Sequence, residues 1–300
     1  MDKPQIIGIG LEGLIGSRIR QLLENEINFV SLGINEGIDI TDPSTLAKIK
    51  EYGQADYVLH LAARTDVDGC EKEKELAEES ESWKTNVVGT KNIAQICNET
   101  GKKIIYFSTD FVFDGKKPRG ESYSEEDLPN PINWYAVTKY EGELEVEKSG
   151  ADYLILRTAF PYRAEFDKKK DLLRSIKERL EGGEVIDAVW DQYFCPTFID
   201  DIAQAFKKLI EYGAFGIYHV VGSDVLSPYE VSIKITEEFG LNKGLIRKVS
   251  RKDFFKNKAA RPFNLALRND KIEKLEIRMK GFEEGLKEIK NQISKIKNSN

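Results

Sequence analysis

The stretch I-I-Y-F-S-T-D-F-V-F-D-G, residues 104–115, decides the fold of this chain. Its first four residues are an apolar run of the length that a buried parallel strand needs. The run ends in two hydroxyl side chains, Ser108 and Thr109. Ligands of parallel α/β sheets bind at the carboxyl ends of the strands, so these hydroxyls are predicted to border a binding site. A Gly-, Pro- and Ser-rich segment at residues 114–132 then predicts a loop near that site.

After this loop, N-W-Y-A-V-T-K at residues 133–139 places Tyr135 and Lys139 four residues apart. In a helix that spacing puts both side chains on one face. A nearby positive charge favours a phenolate, so we expect Lys139 to lower the pKa of Tyr135. With the Thr109 hydroxyl, the pair could pass a proton to or from an alcohol or a carbonyl group. A bound hydride carrier would complete an oxidoreductase.

A glycine turn near the N-terminus predicts where such a carrier binds. The apolar run Gln5–Ile9 suits a buried strand, and it leads into G-I-G-L-E-G-L-I-G at residues 8–16. A helix is predicted from Leu14 to Glu24. Glycine lets the backbone approach a pyrophosphate closely, and the N-terminus of the following helix holds the phosphate charge.

Two registers of this glycine motif compete. Gly8, Gly10 and Gly13 fit G-x-G-x-x-G, whereas Gly10, Gly13 and Gly16 fit G-x-x-G-x-x-G. We favour the second register, because Gly8 then belongs to the strand. A tight strand-to-helix turn without a ligand is the alternative. Glu12 lies inside the turn and would oppose a phosphate unless its side chain points away.

The rest of the chain alternates strands with helices. Further strands are predicted at residues 29–32, 57–61, 152–157 and 216–221, and helices at 83–100, 171–180, 200–212 and 228–239. This alternation predicts an α/β protein with a Rossmann-type doubly wound parallel sheet. His60 and His219 lie in apolar strands, where a core role is favoured over a catalytic one. Residues 271–300 carry an apolar stripe that predicts a helix packed on the core.

The end of the second strand bears on the choice of cofactor. In the dinucleotide fold, an acidic residue there bonds the ribose 2′-hydroxyl, and a basic residue accommodates a 2′-phosphate. Here the strand ends at Gly33, Ile34 and Asn35, which carry neither charge. Asp39 comes slightly later and could touch the adenosine. The choice between NAD and NADP therefore stays open.

Composition narrows the function classes. The 300 residues are 40% apolar, enough for a substantial core, and the formal net charge of −6 argues against nonspecific nucleic-acid binding. Cys70, Cys97 and Cys195 match no metal-ligand spacing and favour free thiols in a reducing cytosol. The chain shows no signal peptide and no apolar run that could span a bilayer. A cytoplasmic protein without a metal, a membrane or a nucleic-acid partner is expected.

In sequence order, these motifs resemble an extended short-chain dehydrogenase/reductase, and within that superfamily the dTDP-4-dehydrorhamnose reductase family. Further matching segments are D-I-T-D (39–42), H-L-A-A-R-T-D-V-D-G-C-E (60–71), N-V-V-G-T-K-N-I-A (86–94), D-Q-Y-F-C-P-T (191–197), G-I-Y-H-V-V-G (216–222) and A-R-P-F-N (260–264). The resemblance implies an NAD(P)-binding Rossmann domain at residues 1–158, to which 191–221 returns. Residues 159–190 and 222–300 would form a smaller substrate-binding part.

The resemblance also implies an activity, the reduction of a nucleotide-diphosphate 4-keto sugar by NADH or NADPH. Tyr135 would donate the proton to the carbonyl oxygen, Lys139 would lower the pKa of Tyr135 and bond the nicotinamide ribose, and Thr109 would hold the substrate oxygen. The cofactor-binding residues that it implies are Gly10, Gly13, Leu14, Ile15, Asp39, Ile40, Leu61, Ala62, Ala63, Thr65, Tyr135 and Lys139. The substrate-binding residues that it implies are Val67, Asp110, Phe111, Phe160, Gln192 and Arg261.

The chain departs from the family pattern where the sugar would bind. Phe194 stands at the glycine of D-Q-x-G-x-P-T, and Phe160, Pro161 and Arg163 alter the family's T-S-W-V-Y-G segment. These changes bear on the substrate more than on the chemistry, so a reductase is better supported than the rhamnose pathway.

Two other functions stay open. The first is a sugar-nucleotide epimerase or dehydratase, although dehydratases tend to carry Asp-Glu after the catalytic hydroxyl and Thr109 is followed by Asp110 and Phe111. The second is a non-catalytic regulatory relative, which the intact Thr109, Tyr135 and Lys139 disfavour. The oligomeric state is open, with a homodimer as the candidate assembly.

Overall fold

The alternating pattern folds into a parallel sheet flanked by helices. A computed structural model describes residues 3–299. The strands are β1 (Gln5–Ile9), β2 (Asn28–Leu32), β3 (Ala55–His60), β4 (Lys103–Thr109), β5 (Tyr153–Thr158), β6 (Pro161–Tyr162), β7 (Ile186–Val189), β8 (Thr197–Phe198), β9 (Gly216–His219) and β10 (Ile246–Val249). The α-helices are α1 (Gly16–Leu23), α2 (Val67–Lys72), α3 (Glu81–Trp83), α4 (Gly89–Thr100), α5 (Trp134–Lys148), α6 (Leu172–Glu181), α7 (Ile199–Glu211), α8 (Pro228–Phe239), α9 (Arg251–Phe254), α10 (Asp270–Glu273) and α11 (Phe282–Ser299).

Six strands form the main sheet in the order β2-β1-β3-β4-β5-β9, and each neighbouring pair is parallel. Successive side chains of a strand point to opposite faces. Ile6 therefore packs in one core cluster with α1 and α7, while Ile7 packs in another with α4. Helices cover both faces, so the predicted Rossmann-type doubly wound sheet is confirmed.

The register of the sheet brings the candidate residues to one edge. Ile9 pairs with Leu32 on one side and with His60 on the other. Thr109, the last residue of β4, pairs with Thr158 at the end of β5. The glycine turn after β1 and the hydroxyls of β4 therefore lie at the same carboxyl edge, where ligands of such sheets bind.

A third core cluster lies beside the main sheet and gathers apolar residues of α6, α8 and α11 around the start of α5. It contains Leu173, Val231, Phe282 and Tyr135. Two small two-stranded sheets, β10–β7 and β6–β8, complete the strand pairing of the described chain. The strand β9 returns to the main sheet, whereas the division into two domains at residue 158 stays a prediction.

The C-terminal segment differs from the single helix predicted for residues 271–300. The helix α10 ends at Glu273 and α11 begins only at Phe282. Between them, Glu276 has a φ of +55°, which ends helical geometry. Lys280 donates from its backbone nitrogen and from Nζ to the carboxylate of Asp201 on α7, at 2.7 and 2.6 Å. These tertiary bonds hold the segment as a connection across the sheet edge.

The apolar stripe of this segment is divided between two cores. Ile272 and Met279 pack in the cluster with α1 and α7, and Phe282, Leu286 and Ile289 pack in the third cluster. The predicted core role is therefore confirmed, although the predicted continuous helix is wrong. The last residue of that prediction, Asn300, lies outside the described residues. Over residues 3–299, no helix has both the length and the apolar character to span a bilayer.

Candidate active site

The glycine turn packs tightly against the end of β3. Gly10 has a φ of +88°, a conformation that favours glycine. A Cβ atom at this position would lie 2.7 Å from the backbone nitrogen of Ala62. The backbone N–H groups of Leu61 and Ala62 both donate to the carbonyl of Ile9, at 2.8 and 3.1 Å. Where Gly10 approaches the loop after β3, there is therefore no room for a side chain.

The residues after this turn fit a pyrophosphate. The helix α1 begins at Gly16, so the N–H groups of Leu14 and Ile15 have no acceptor within the helix. The same helix end carries the positive part of the helix dipole. Gly8 lies inside β1, as the register through Gly10, Gly13 and Gly16 requires. This chain therefore has the backbone that a dinucleotide needs at its phosphates.

The acidic residue inside the turn is neutralised by cations. Glu12 pairs with Arg20 at 3.1 Å and with Lys168 at 3.5 Å, and its side chain is half exposed. The next lysine, Lys169, donates to the hydroxyl of Thr65 at 2.8 Å. The segment after β6 therefore contacts both the glycine turn and the loop after β3, and Glu12 does not leave an unbalanced negative charge there.

Arg163 lies against α1 and not among the aromatic residues of the predicted sugar pocket. Its guanidinium donates to the carbonyl of Leu14 at 3.2 Å and to the hydroxyl of Ser17 at 2.9 Å. Burial lowers its pKa to about 10. The expectation that Arg163 alters the sugar pocket is therefore wrong, because β6 turns the side chain toward the glycine turn.

The residues predicted to reach the adenosine are engaged within the protein. Asp39 accepts bonds from the backbone N–H and the hydroxyl of Thr41, at 2.9 and 2.8 Å. Ile40 is buried, and its carbonyl accepts a bond from Asn92 at 2.9 Å. These bonds shape the loop after β2. The cofactor contacts of both residues stay predictions.

The phenol and the ammonium lie on the buried face of α5, as their spacing predicts. Tyr135 is 8% exposed and Lys139 is 3% exposed. Lys139 Nζ donates to the carbonyl of Phe107 at 2.9 Å and lies 4.0 Å from the centroid of the Tyr106 ring. Burial lowers the pKa of Lys139 to about 7.

Burial decides the ionisation of the phenol. It raises the pKa of Tyr135 above the ordinary tyrosine value, and the hydrogen bond with Thr109 acts in the opposite direction. The expectation that Lys139 lowers the pKa of Tyr135 is therefore wrong for this structure. The Lys139 ammonium is directed to the end of β4, and desolvation of the phenol outweighs the electrostatic attraction that the sequence suggests.

Buried polar atoms without partners gather at the ends of β4 and β5. Thr109 donates to Oδ1 of Asp110 at 3.0 Å, and burial raises the pKa of Asp110 to about 7. Asp110 Oδ2, Ser108 Oγ and Thr158 Oγ1 have no hydrogen-bond partner within residues 3–299. Buried polar groups are normally satisfied. Three such atoms at one strand edge therefore point to a polar ligand.

An aromatic wall borders the phenol. The ring centroids of Phe111 and Tyr135 lie 5.9 Å apart, and those of Phe160 and Phe194 lie 3.8 Å apart in a stack. Phe160 has a φ of +40°, which is strained for a bulky residue. Phe111 and Phe160 are 6.2 Å apart. The family's glycine position is thus filled by a ring that supports Phe160.

The remaining predicted substrate residues are Val67, Gln192 and Arg261. Val67 begins α2 and packs against the third core cluster, which contains Phe111 and Tyr135. Gln192 is 3% exposed. Arg261 donates to Asp68 at 2.8 Å, so its charge is paired with α2. Their substrate contacts stay predictions.

Asn86 links two segments of the candidate site, and sequence reasoning missed it. It lies in a π-helical turn, Lys84–Val88, and is fully buried. Its Oδ1 accepts from the backbone N–H of Arg64 at 2.8 Å, and its Nδ2 donates to Thr138 Oγ1 at 3.0 Å. Asn86 thus joins the loop after β3 to α5. The N-V-V-G-T-K segment was the available signal, but an asparagine inside a predicted helix does not reveal the turn.

Comparison with known proteins gives relatives over most of the chain. The model of the family described as RmlD substrate binding domain matches residues 4–295. A probable low-salt glycan biosynthesis reductase of Haloferax volcanii is 33% identical over 214 residues, which are 70% of this chain and 68% of the relative. Methionine adenosyltransferase 2 subunit beta of Xenopus tropicalis is 28% identical over 89% of this chain and 81% of its own length.

A solved structure gives the same fold. The crystal structure of dTDP-4-dehydrorhamnose reductase from Bacillus anthracis, a complex with NADP, superposes with a TM-score of 0.87. It is 29% identical and covers 97% of this chain and 100% of its own. Because the family model extends over nearly the whole described chain, this protein belongs to the RmlD substrate binding domain family, the dTDP-4-dehydrorhamnose reductase family of the extended short-chain dehydrogenases/reductases.

Proposed function

We propose that this chain is an NAD(P)H-dependent reductase of a nucleotide-diphosphate 4-keto sugar, of the dTDP-4-dehydrorhamnose reductase type. The observation that carries the proposal is the position of Thr109 and Tyr135 on either side of Phe111, at the carboxyl edge of a sheet whose first turn fits a dinucleotide. The N–H of Phe111 donates to Thr109 Oγ1 at 3.3 Å, and its ring centroid lies 5.9 Å from that of Tyr135. When bound, the nicotinamide supplies the hydride. The chain's own residues supply the proton and hold the carbonyl.

Tyr135 is the proton donor in this proposal. Its raised pKa keeps the phenol protonated at neutral pH, which is the state that a donor needs. A reduced carbonyl develops an alkoxide, which is a stronger base than a phenolate, so proton transfer from the phenol is favourable at that stage. The Thr109 hydroxyl donates its one proton to Asp110 in this structure, at 3.0 Å, so in this proposal it turns from Asp110 to the substrate oxygen when the substrate binds.

Lys139 acts through position and charge. Its bond to the Phe107 carbonyl fixes the ammonium at the end of β4, four residues from the phenol along α5. With a pKa of about 7, a substantial fraction is charged at neutral pH. Burial dominates the pKa of the phenol, so the role that we assign to this charge is limited to offsetting part of the cost of the phenolate that proton donation leaves behind. Contact with the nicotinamide ribose is the second role that we assign to it.

The non-catalytic alternative has one specific observation in its favour. The subunit beta relative aligns with 89% of this chain, so the fold alone does not separate an enzyme from a regulatory subunit. The buried and unpartnered atoms of Ser108, Asp110 and Thr158 favour a ligand at the strand ends. They indicate a binding site for a polar substrate, which favours a catalytic role over a purely structural one.

The experiment is incubation of the purified chain with a panel of 4-keto sugar nucleotides while the absorbance of NADH or NADPH is followed. Loss of absorbance with at least one sugar supports the reductase. Isomerisation of the sugar without consumption of reduced cofactor would assign the epimerase function instead. No reaction across the panel, with dinucleotide binding intact, would favour the regulatory alternative. A cytoplasmic location and a homodimer stay predictions.

A further inference from the structure

The segment after β2 is a tight turn that brings a glutamate back to the strand end. Residues Ile34–Glu36 form one turn of 3₁₀ helix, and Gly37 closes it with a φ of +79°. The N–H groups of Glu36 and Ile38 both donate to the carbonyl of Gly33, at 3.0 and 2.8 Å. The chain therefore folds over Gly33 instead of continuing away from the sheet.

This turn places a carboxylate beside Gly33. A methyl group built on Gly33 would lie 3.4 Å from Oε2 of Glu36. Over residues 3–299 the Glu36 carboxylate makes no ion pair, and the neighbouring Lys48 donates to the Glu36 carbonyl instead, at 3.0 Å. Glu36 is exposed. The sequence reading, which found no charge at the end of β2, is therefore corrected by the turn.

The position of this charge matters because of where β2 ends. Leu32 pairs with Ile9, so Gly33 and the glycine turn leave the sheet side by side. In dinucleotide-binding folds the ribose 2′ position lies at the end of the second strand, met by an acidic residue about 20 residues after the glycine motif. Glu36 follows the last glycine of the turn, Gly16, by that spacing.

We propose that Glu36 makes this chain prefer NADH over NADPH. The inference rests on the proposed function, because it requires a dinucleotide at the glycine turn. A carboxylate accepts a hydrogen bond from a ribose 2′-hydroxyl, whereas it repels a 2′-phosphate. Over residues 3–299 the Glu36 carboxylate has no ion pair that would offset that repulsion, because Lys48 donates to the Glu36 carbonyl instead. The relative from Bacillus anthracis was solved with NADP, so both dinucleotides are compared in the test.

The test is titration of the full-length protein with NADH and with NADPH at one low ionic strength, followed by nicotinamide fluorescence. The wild type should bind NADH at least about tenfold more tightly than NADPH. Glu36→Gln keeps the shape of the side chain and removes its charge, so the ratio should fall several-fold, mainly through tighter NADPH binding. Glu78→Gln, an exposed glutamate on the 3₁₀ turn before α3, is the matched control and should leave the ratio unchanged.

Four results would overturn the inference. Equal affinities of the wild type for NADH and NADPH would show that the carboxylate does not distinguish a ribose 2′-hydroxyl from a 2′-phosphate. An affinity ratio that Glu36→Gln leaves unaltered would show the same. A preference for NADPH that disappears in Lys48→Gln would show that Lys48, and not Glu36, determines binding at the ribose 2′ position. Failure of the wild type to bind either NADH or NADPH would overturn the proposed function and this inference with it. That result differs from equal binding of both dinucleotides, which would overturn this inference alone.

Discussion

Three ionisable side chains of the candidate site are shifted toward their neutral forms. Burial raises the pKa of Tyr135 and of Asp110 and lowers that of Lys139, in each case as the largest cause. Near pH 7, Tyr135 is therefore neutral, and Asp110 and Lys139 are each only partly ionised. A weakly charged, desolvated site strengthens each hydrogen bond made inside it, including those to a carbonyl oxygen that gains charge.

Replacement of Tyr135 by Phe should remove the proton donor and leave the ring in place. We expect a loss of turnover of about 10²–10⁴-fold, with NADH binding unchanged. The measurements are steady-state rates with the best sugar of the panel and NADH titration. Tyr140→Phe, on the same helix but partly exposed, is the control and should keep the wild-type rate. Wild-type turnover in Tyr135→Phe would remove the phenol from the mechanism.

The pH dependence of stability should reveal Asp110. Its folded pKa of about 7 exceeds the ordinary value of 3.8, so between these values the folded state retains a proton that the unfolded state has lost. Stability should therefore decline as pH rises from about 4 to 7, by up to about 1.4 kcal/mol per pH unit from this group. Urea unfolding of the wild type and of Asp110→Asn at several pH values isolates this contribution as their difference. A pH-independent difference would contradict it.

At the level of elements, α5 holds the site through a buried ion pair. Glu143 lies one further turn along the face that carries Tyr135 and Lys139. Its carboxylate accepts two bonds from Arg157 on β5, at 3.0 and 2.6 Å, and both side chains are about 1% exposed. The same carboxylate raises the pKa of Lys139 against the larger effect of burial. The pair therefore fixes α5 on β5 and supports the charge of the lysine.

Breaking this pair on one side should be strongly destabilising. Glu143→Ala leaves the Arg157 guanidinium buried without its counterion, which costs about 3–5 kcal/mol. The double substitution Glu143→Leu with Arg157→Met removes both charges and should recover most of that loss. Denaturant unfolding measures both variants. Equal destabilisation by the single and the double variant would show that packing, and not charge, is at stake.

At the level of the whole molecule, the glycine turn links cofactor binding to global stability. A ligand that binds only the folded state stabilises it by about 2.7 kcal/mol at a concentration of 100 times Kd. The turn is held between β1 and β3 in the centre of the sheet. The stabilisation by bound NADH should therefore increase the free energy of unfolding of the whole sheet. NADH is therefore expected to raise the Tm by several degrees.

Gly10→Ala should abolish this thermal shift. Its Cβ would lie 2.7 Å from the Ala62 nitrogen, and its φ of +88° is strained for alanine. The apo protein should also lose stability, so the measured quantity is the NADH-induced shift within each variant. Gly53→Ala, where a Cβ meets no atom within 4 Å, should keep the wild-type shift. A retained shift in Gly10→Ala would place the dinucleotide elsewhere.

Local patterns predicted most of the main sheet, because apolar runs and glycine breaks act over a few residues. The helix α8 has its predicted bounds, and α5 carries Tyr135 and Lys139 on one face as their spacing predicts. The C-terminal segment could not be predicted, since Asp201, some 80 residues away in sequence, holds Lys280 and interrupts the helical path. Long-range bonds of this kind leave no local periodicity.

The sequence by itself determined the parallel sheet, the glycine turn and the shared face of Tyr135 and Lys139, because residue spacing sets all three. Only the tertiary structure decided the ionisation of that pair, the direction of Arg163 and the return of Glu36 to the strand end. These depend on desolvation and on contacts between segments distant in the chain or folded back on themselves. Spacing along a sequence carries no measure of either.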